Sequence, residues 1–123
     1  MTICITATGR DLDATVDPRF GRARYFAFVD PDKETIEVHE NAPGAHGAGV
    51  QAAQLLVSKG ATTLVTGSVG PNAFQGLSAA GIAIYTGASG TLREALAAYK
   101  AGTLTQTAGP TGRPHGGGGG GRR

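Results

Sequence analysis

The chain has 123 residues, 40% of them hydrophobic and 16% charged, with 21 glycines and no tryptophan, which suits one soluble domain with a single core. Its formal charge of +2, from 11 basic and 9 acidic residues, argues against a nucleic-acid surface, which needs clustered lysine and arginine. A single cysteine, Cys4, excludes an internal disulfide and a CxxC metal site.

The first forty residues predict three strands. "TICITAT" (2–8) is short and β-branched, so it predicts a buried strand. "RYFAFVD" (24–30) carries large apolar residues in both of its alternating sets, which indicates a strand covered on both faces. "TIEVHE" (35–40) alternates after a turn at Asp30-Pro31-Asp32-Lys33, and this predicts a hairpin whose second strand lies at a sheet edge.

Three amphipathic helices are predicted in the second half, over residues 47–60, 70–81 and 89–102. Each ends at a glycine suited to the left-handed cap, and the third begins with a possible capping box of Thr91 and Glu94. The apolar stripes are Val50, Ala53, Leu56 and Val57; Phe74, Leu77 and Ala80; and Leu92, Ala95, Leu96 and Tyr99.

Short apolar strands at residues 62–67 and 82–87 alternate with these helices. The resulting order, βββαβαβα, contains two right-handed crossovers. It predicts an α/β, three-layer domain with a five-stranded mixed sheet over residues 1–102. Residues 103–123 contain a run of six glycines and little to bury, so they predict a flexible Gly-rich tail.

Glycine-rich loops follow the predicted parallel strands, at the end of the sheet where open α/β folds bind ligands. Each loop opens a helix, and helix N-termini offer free N–H groups and a positive dipole end to an anion. The candidate binding residues in these loops are Gly47, Gly49, Gly70, Asn72, Gly87, Ser89 and Gly90. The glycines could equally form ordinary tight turns, with Ser89 or Thr91 as a helix cap. No loop has a P-loop or dinucleotide-binding pattern.

The segment Arg19-Phe20-Gly21-Arg22 follows the loop after the first strand and is predicted to lie at the same end of the sheet. Its two arginines could hold an anionic ligand through planar, bidentate hydrogen bonds. They could instead form surface ion pairs with the nearby Asp11, Asp13 and Asp17. Charge alone leaves both interpretations open.

Other chemistry-bearing residues are sparse. His46 lies near the presumed site and is a candidate metal ligand, although a lone loop histidine is more often a surface residue. Cys4 is most simply a small buried hydrophobe. Neither paired carboxylates nor a Ser-His-Asp arrangement is evident. We therefore expect a protein that is not an enzyme.

Several motifs, in this order, resemble the dinitrogenase iron-molybdenum cofactor biosynthesis domain family, and within it the small stand-alone NifX-like proteins. The matching pieces are "VDPRFGRARYFAFVD", the stretch from "GAGVQAAQ" to "AAYKAG", and "PTGRPHGGG", which cover most of residues 1–115. The resemblance implies a ribonuclease-H-like fold. It also implies a role, related to nitrogen fixation, in binding, carrying or inserting iron-sulfur or molybdenum-containing clusters.

One position departs from the family pattern. In the cofactor-carrying branch the loop resembles His-Phe-Gly, and that histidine is the favoured cluster contact; here the matching residue is Arg19. A protonated guanidinium cannot ligate a metal, so this position predicts an electrostatic contact.

We therefore expect a cytoplasmic carrier that transiently binds an anionic iron-sulfur or molybdenum-iron-sulfur cluster. Its partners would be metallocluster assembly or acceptor proteins, without nucleic acid or a membrane, since no apolar stretch approaches the roughly 20 residues that span a bilayer. The expected state is a monomer or weak homodimer. The alternatives are a small-anion or nucleotide-sensing regulatory module, and a structural interaction domain that pairs through the edge strand "TIEVHE".

Overall fold

A computed structural model describes residues 2–41 and 48–107, with backbone alone for residues 48–52. The predicted order of elements is confirmed, and one short strand follows it. The elements are β1 (Thr2–Ala7), β2 (Tyr25–Asp30), β3 (Thr35–Glu40), α1 (Ala48–Ser58), β4 (Ala61–Val65), α2 (Pro71–Ala79), β5 (Ala83–Thr86), α3 (Leu92–Ala101) and β6 (Thr105–Gln106). No helix in these ranges is long and apolar enough to cross a membrane.

One mixed sheet contains all the strands, in the order β3-β2-β1-β4-β5-β6. Strands β1, β4 and β5 are parallel to one another. The other pairs are antiparallel: β2 with β1, β3 with β2, and β6 with β5. The parallel strands end at Ala7, Val65 and Thr86. We call this edge the carboxyl rim. Because β2 is antiparallel to β1, it begins there, with Tyr25 opposite Ala7.

The helices cover both faces of the sheet, which confirms the three-layer prediction. Leu56 of α1 and Leu77 of α2 pack with Phe26 and Phe28 on one face. On the other face, the buried side chains of α3 contact the opposite set of β1 and β2 residues. As predicted, β2 is buried on both faces, because its two alternating sets of side chains enter different clusters.

Two helical stripes are narrower than predicted. Val57 is 53% exposed, and Ala80 is exposed beyond the end of α2. Leu56 and Leu77 are fully buried and supply the contact with the sheet. Residues at the edge of a predicted apolar stripe can therefore be exposed to solvent, because only about a third of the surface of such a helix faces the core.

The sheet has six strands, and the prediction of five was wrong. Residues 103–107 belong to the predicted tail, yet Thr105 pairs with Thr86 and Gln106 with Tyr85. Leu104 packs against the α3-side cluster. Two polar residues carry no periodicity, so sequence pattern could not reveal this strand.

The cap predictions at α3 are confirmed. Thr91 and Glu94 form a reciprocal capping box, and Gly102 closes the helix with φ of +75°. Left-handed backbone of this kind is open mainly to glycine, which lacks the Cβ clash.

The edge strand β3 is joined to the end of α1 by a charged cluster. Lys59 Nζ lies 2.5 Å from Glu37 Oε2, and His39 Nε2 lies 2.7 Å from the same oxygen. The ammonium of Lys59, followed by the ring of His39, holds the pKa of Glu37 below its usual range. These exposed charges also discourage pairing of the edge with another chain.

Candidate functional site at the carboxyl rim

The long loop after β1, residues 8–24, folds back across the carboxyl rim. Its backbone N–H groups donate to carbonyls of β1 and of two loops: Asp17 N to Thr6 O at 2.9 Å, Val16 N to Gly90 O at 2.8 Å, and Phe20 N to Ser68 O at 3.2 Å. The arginine segment therefore lies against the loop between β4 and α2.

Phe20 anchors this segment in the core. Its side chain is 1% exposed, and its ring centroid lies 5.7 Å from that of Phe26. The side chain of Phe20 therefore contacts the protein interior, and its role as a cofactor contact stays a prediction. A large apolar residue between two arginines is a signal for such an anchor, because burying a phenylalanine stabilises by about 1.5–3 kcal/mol.

Asp17 is 6% exposed and binds backbone N–H groups. Its Oδ1 accepts from Arg19 N at 3.1 Å, and its Oδ2 accepts from Arg24 N at 3.2 Å. The interpretation of Asp17 as a solvated partner for the arginine side chains is therefore wrong. A buried carboxylate needs hydrogen-bond donors, and the turn supplies two of them.

Two buried threonines connect Asp17 to the centre of the sheet. Thr6 Oγ1 lies 2.7 Å from Asp17 O and 2.8 Å from Thr66 Oγ1. Since a hydroxyl has one proton, Thr6 donates to the carbonyl and Thr66 donates to Thr6. Sequence reasoning missed both residues; the available signal was a threonine at or just beyond the end of two apolar strands.

Asn41, directly after β3, donates hydrogen bonds to backbone carbonyls at the end of the arginine segment and just beyond it. Its Nδ2 donates to Gly21 O at 3.3 Å and to Ala23 O at 2.9 Å, and its backbone N–H donates to Arg24 O at 3.0 Å. Sequence reasoning missed this residue as well. Its position, a polar amide directly after an edge strand, was the signal that could have found it.

The guanidinium groups of Arg19 and Arg22 are exposed. Across residues 2–41 and 48–107, neither takes part in an ion pair. The nearby acid Asp13 pairs instead with Arg93 at 3.5 Å. The predicted surface pairing of these arginines is thus not formed within the described residues, and their donors face solvent.

The start of α3 is closed to an anion. Leu92 N donates to Ala14 O at 2.8 Å, and Arg93 N donates to Leu12 O at 2.9 Å. The capping box occupies the amides of Thr91 and Glu94.

The loop that leads to α3 is also partly engaged. Gly87 N donates to Gly67 O at 3.0 Å, and Ala88 N donates to Thr66 O at 3.2 Å. The predicted binding role of Gly87 required a free backbone amide, but this amide is engaged in a hydrogen bond to Gly67 O. Ser89 and Gly90 are exposed at the tip, but Gly90 O already accepts from Val16 N.

The start of α2 differs from that of α3. Its N-cap, Gly70, makes no side-chain capping bond, and Pro71 at the first helical position has no N–H. In the described part of the chain, no hydrogen bond is formed by the amides of Asn72 and Ala73, which lie among the helix positions without an intrahelical partner. This open helix start directly follows the loop between β4 and α2. Arg19 contacts that loop, because its backbone forms a bridge with Ser68.

The start of α1 is only partly described. His46 and Gly47 lie outside the described residues, and Gly49 lies in the first turn of α1 with backbone alone described. Their predicted roles remain predictions, including that of His46 as a metal ligand.

The described residues offer little for direct metal coordination. Within residues 2–41 and 48–107, no three His, Cys, Asp or Glu side chains come together. Cys4 is fully buried, and burial raises the pKa of its thiol far above the usual range, so it stays protonated. A metal needs the thiolate. This part of the rim therefore suits electrostatic retention of an anion by guanidinium and amide N–H groups.

The fold and the rim define a mixed α/β protein whose carboxyl rim presents exposed arginines that form no ion pair within the described residues. Residues 1–102 match the family model described as dinitrogenase iron-molybdenum cofactor, so the chain belongs to this family, as the resemblance predicted.

Two solved structures and one further protein sequence support the assignment. The apo form of the orange protein from Desulfovibrio gigas is 44% identical, with a TM-score of 0.85 over 89% of this chain and 95% of that one. A Thermotoga protein provisionally named as a NifB protein is 42% identical, with a TM-score of 0.76 over 85% of this chain and 91% of that one. An uncharacterised protein of Methanocaldococcus jannaschii is 28% identical over 94 residues, which are 72% of this chain and 80% of that protein.

Proposed function

We propose that the protein is a non-enzymatic carrier that binds an anionic iron-sulfur or molybdenum-containing cluster, or a precursor of one, during metallocluster assembly. The cluster is cargo, bound and passed to an acceptor protein. We also propose that the first five strands form a ribonuclease-H-like arrangement, as the resemblance implies.

The family supports the chemical class of the cargo. Its description names the iron-molybdenum cofactor, and one relative carries a provisional NifB name. The orange protein was solved in a form called apo, which implies a second form with a ligand bound. Metal-sulfur clusters of this class are commonly anionic, and turns and helix starts that present backbone N–H groups bind such anions.

The observation that carries the proposal is a pair of exposed arginines in a segment whose backbone, at Arg19, bridges Ser68 shortly before the open start of α2. Arg19 and Arg22 are exposed and form no ion pair within the described residues, while α2 begins with a glycine cap and free amides. Guanidinium groups donate several hydrogen bonds in a fixed geometry without ligating the metal. Such contacts hold a preformed cluster through its outer atoms and leave its metal bonds intact, which suits transfer.

The test is retention of a cluster by the apo-protein under anaerobic conditions. Tetrathiomolybdate and a preformed iron-sulfur cluster are each incubated with the protein, and visible absorbance is read after desalting. We expect the double variant Arg19→Gln/Arg22→Gln to retain roughly ten-fold less, since charge-assisted hydrogen bonds are worth about 1.5–3 kcal/mol each before solvent screening.

The matched control is Lys33→Gln/Lys100→Gln, which removes two positive charges at the opposite end of the sheet. Lys100 pairs there with Glu34 at 3.5 Å, in the hairpin that also contains Lys33. This control should retain the wild-type amount. If both double variants lost the same amount of retained cluster, net charge alone would explain the loss. If the arginine variant lost none, the arginines would not form the binding site.

A further inference from the structure

We propose that Asp17 is a positioning residue, which holds the arginine loop, residues 19–24, in its binding conformation before a ligand arrives. The inference rests on the proposed function, because the ligand it concerns is the anion bound by Arg19 and Arg22. The role of Asp17 in ordering the loop can be measured without any ligand.

The geometry is that of a clasp. The two oxygens of one carboxylate accept from amides five positions apart in the chain, Arg19 N at 3.1 Å and Arg24 N at 3.2 Å. The loop between them is therefore closed at both ends by the same side chain. Residue 17 is itself fixed, because its N–H donates to Thr6 O and its carbonyl accepts from Thr6 Oγ1.

The clasp requires a carboxylate. Asparagine would keep the size of the side chain but offer one acceptor oxygen, and its NH₂ group would face a backbone N–H. The backbone N–H of either Arg19 or Arg24 would then face a donor instead of an acceptor, next to a side chain that is only 6% exposed. A buried N–H without an acceptor is costly, so the loop would open at one end.

Electrostatics and positioning predict opposite signs for the loss of this carboxylate. By Coulomb attraction alone, removing a negative charge beside the arginines would tighten the binding of an anion. A loop that must become ordered upon binding weakens it, because the ordering cost is subtracted from the affinity. The direction of change therefore separates the two roles.

Binding of tetrathiomolybdate provides the first measurement. We expect Asp17→Asn to weaken retention at least five-fold, whereas Asp11→Asn, an exposed acid of the same long loop, should leave it unchanged or tighten it. In the Arg19→Gln/Arg22→Gln background the effect of Asp17→Asn should fall below about two-fold, because Asp17 acts through these two arginines. Equal or tighter binding by Asp17→Asn, or the same factor in both backgrounds, would overturn the proposal.

Amide hydrogen exchange in the ligand-free protein provides the second measurement. Asp17→Asn should accelerate exchange at Arg19 and Arg24 at least ten-fold, with the amide of Ile5 in β1 unchanged as evidence of an intact sheet. Asp17→Glu, which keeps the charge but displaces the oxygens, should also accelerate it. Wild-type exchange in either folded variant would refute the clasp. If the wild-type protein itself retained no tetrathiomolybdate, the proposed function would fail, and exchange would still decide the role of Asp17.

Discussion

At the scale of single residues, the carboxyl rim is organised by polar groups that bond to backbone. Asp17 and Asn41 bond to backbone atoms of the arginine loop, and Thr6 bonds to the carbonyl of Asp17. Their hydrogen bonds leave the guanidinium groups of Arg19 and Arg22 free to face solvent. The exposed arginines thus lie on a loop whose backbone is held by neutral and acidic residues.

Gly67 is required because the long loop after β1 approaches the end of β4 closely at Pro18. A Cβ at this position would lie 2.6 Å from Pro18 Cα and 2.6 Å from Pro18 O, which are backbone atoms that cannot rotate away. We expect Gly67→Ala to lower the free energy of unfolding by about 1–3 kcal/mol, the usual cost of overpacking. Urea denaturation followed by circular dichroism measures it.

The matched control is Gly21→Ala, in the arginine loop itself. A Cβ there meets no atom within 4 Å, and its φ is not in the left-handed region. We expect this variant to stay within about 0.5 kcal/mol of wild type. A Gly67→Ala protein as stable as Gly21→Ala would contradict the close approach.

At the scale of elements, the two helices that follow β4 and β5 have different N-termini. The first backbone N–H groups of helix α3 donate hydrogen bonds within its capping box and to the loop carbonyls of Leu12 and Ala14. Helix α2 has a glycine cap and a proline, and within residues 2–41 and 48–107 no side chain caps it. The positive end of α2 therefore stays exposed to solvent, where it favours an anion. The two glycine-rich loops that looked equivalent in sequence are not equivalent in the fold.

Gly76 lies in the middle of α2, where glycine is a poor helix former. A Cβ there would meet Ala53 Cβ at 3.6 Å, an ordinary contact with α1. We expect Gly76→Ala to raise the free energy of unfolding by about 0.5–1 kcal/mol, because alanine loses less backbone entropy in a helix. Thermal unfolding provides the measurement.

Gly81, just after α2, serves as the contrasting position. Its φ is +78°, a conformation that costs about 1–2 kcal/mol for a residue with a Cβ. Gly81→Ala should therefore lower the melting temperature while Gly76→Ala raises it. A destabilised Gly76→Ala variant would show that α1 and α2 pack more closely than this contact indicates.

At the scale of the whole molecule, a segment with little sequence signal completes the sheet. Residues 104–107 add Leu104 to the α3-side cluster, the pairs of β6 with β5, and a hydrogen bond from Thr107 N to Ile84 O at 2.7 Å. These contacts close an edge of the sheet that would otherwise expose β5.

We therefore predict that a chain ending at Thr103 unfolds at lower urea concentration than one ending at Thr107. The expected difference is about 1–3 kcal/mol, from one half-buried leucine and a few backbone hydrogen bonds. Because both chains lack residues 108–123, the comparison isolates the last strand. Equal midpoints would mean that β6 contributes nothing to stability.

Most of the fold was predictable because its signals are local. Alternating β-branched strands, helical stripes, and the Thr91 and Glu94 capping box each depend on residues within a few positions of one another. The two-sided burial of β2 was visible in its composition for the same reason. The sixth strand was not visible, since Thr105 and Gln106 are placed only by pairing with β5.

The candidate site was predictable only in part. Sequence position alone placed the arginine segment near the glycine-rich loops, and the bridge of Arg19 with Ser68 agrees with it. The buried state of Phe20, the engaged amide of Gly87 and the clasp made by Asp17 were not predictable. Each depends on an atom from a distant part of the chain.

The sequence by itself determined the order of strands and helices, the two-sided core and the family, because these depend on local periodicity and on motifs in a fixed order. Only the tertiary structure decided which donors of the carboxyl rim remain available. A backbone N–H or a guanidinium is free or engaged according to what the fold brings against it, and here the fold engages α3, leaves α2 open and turns Arg19 and Arg22 outward.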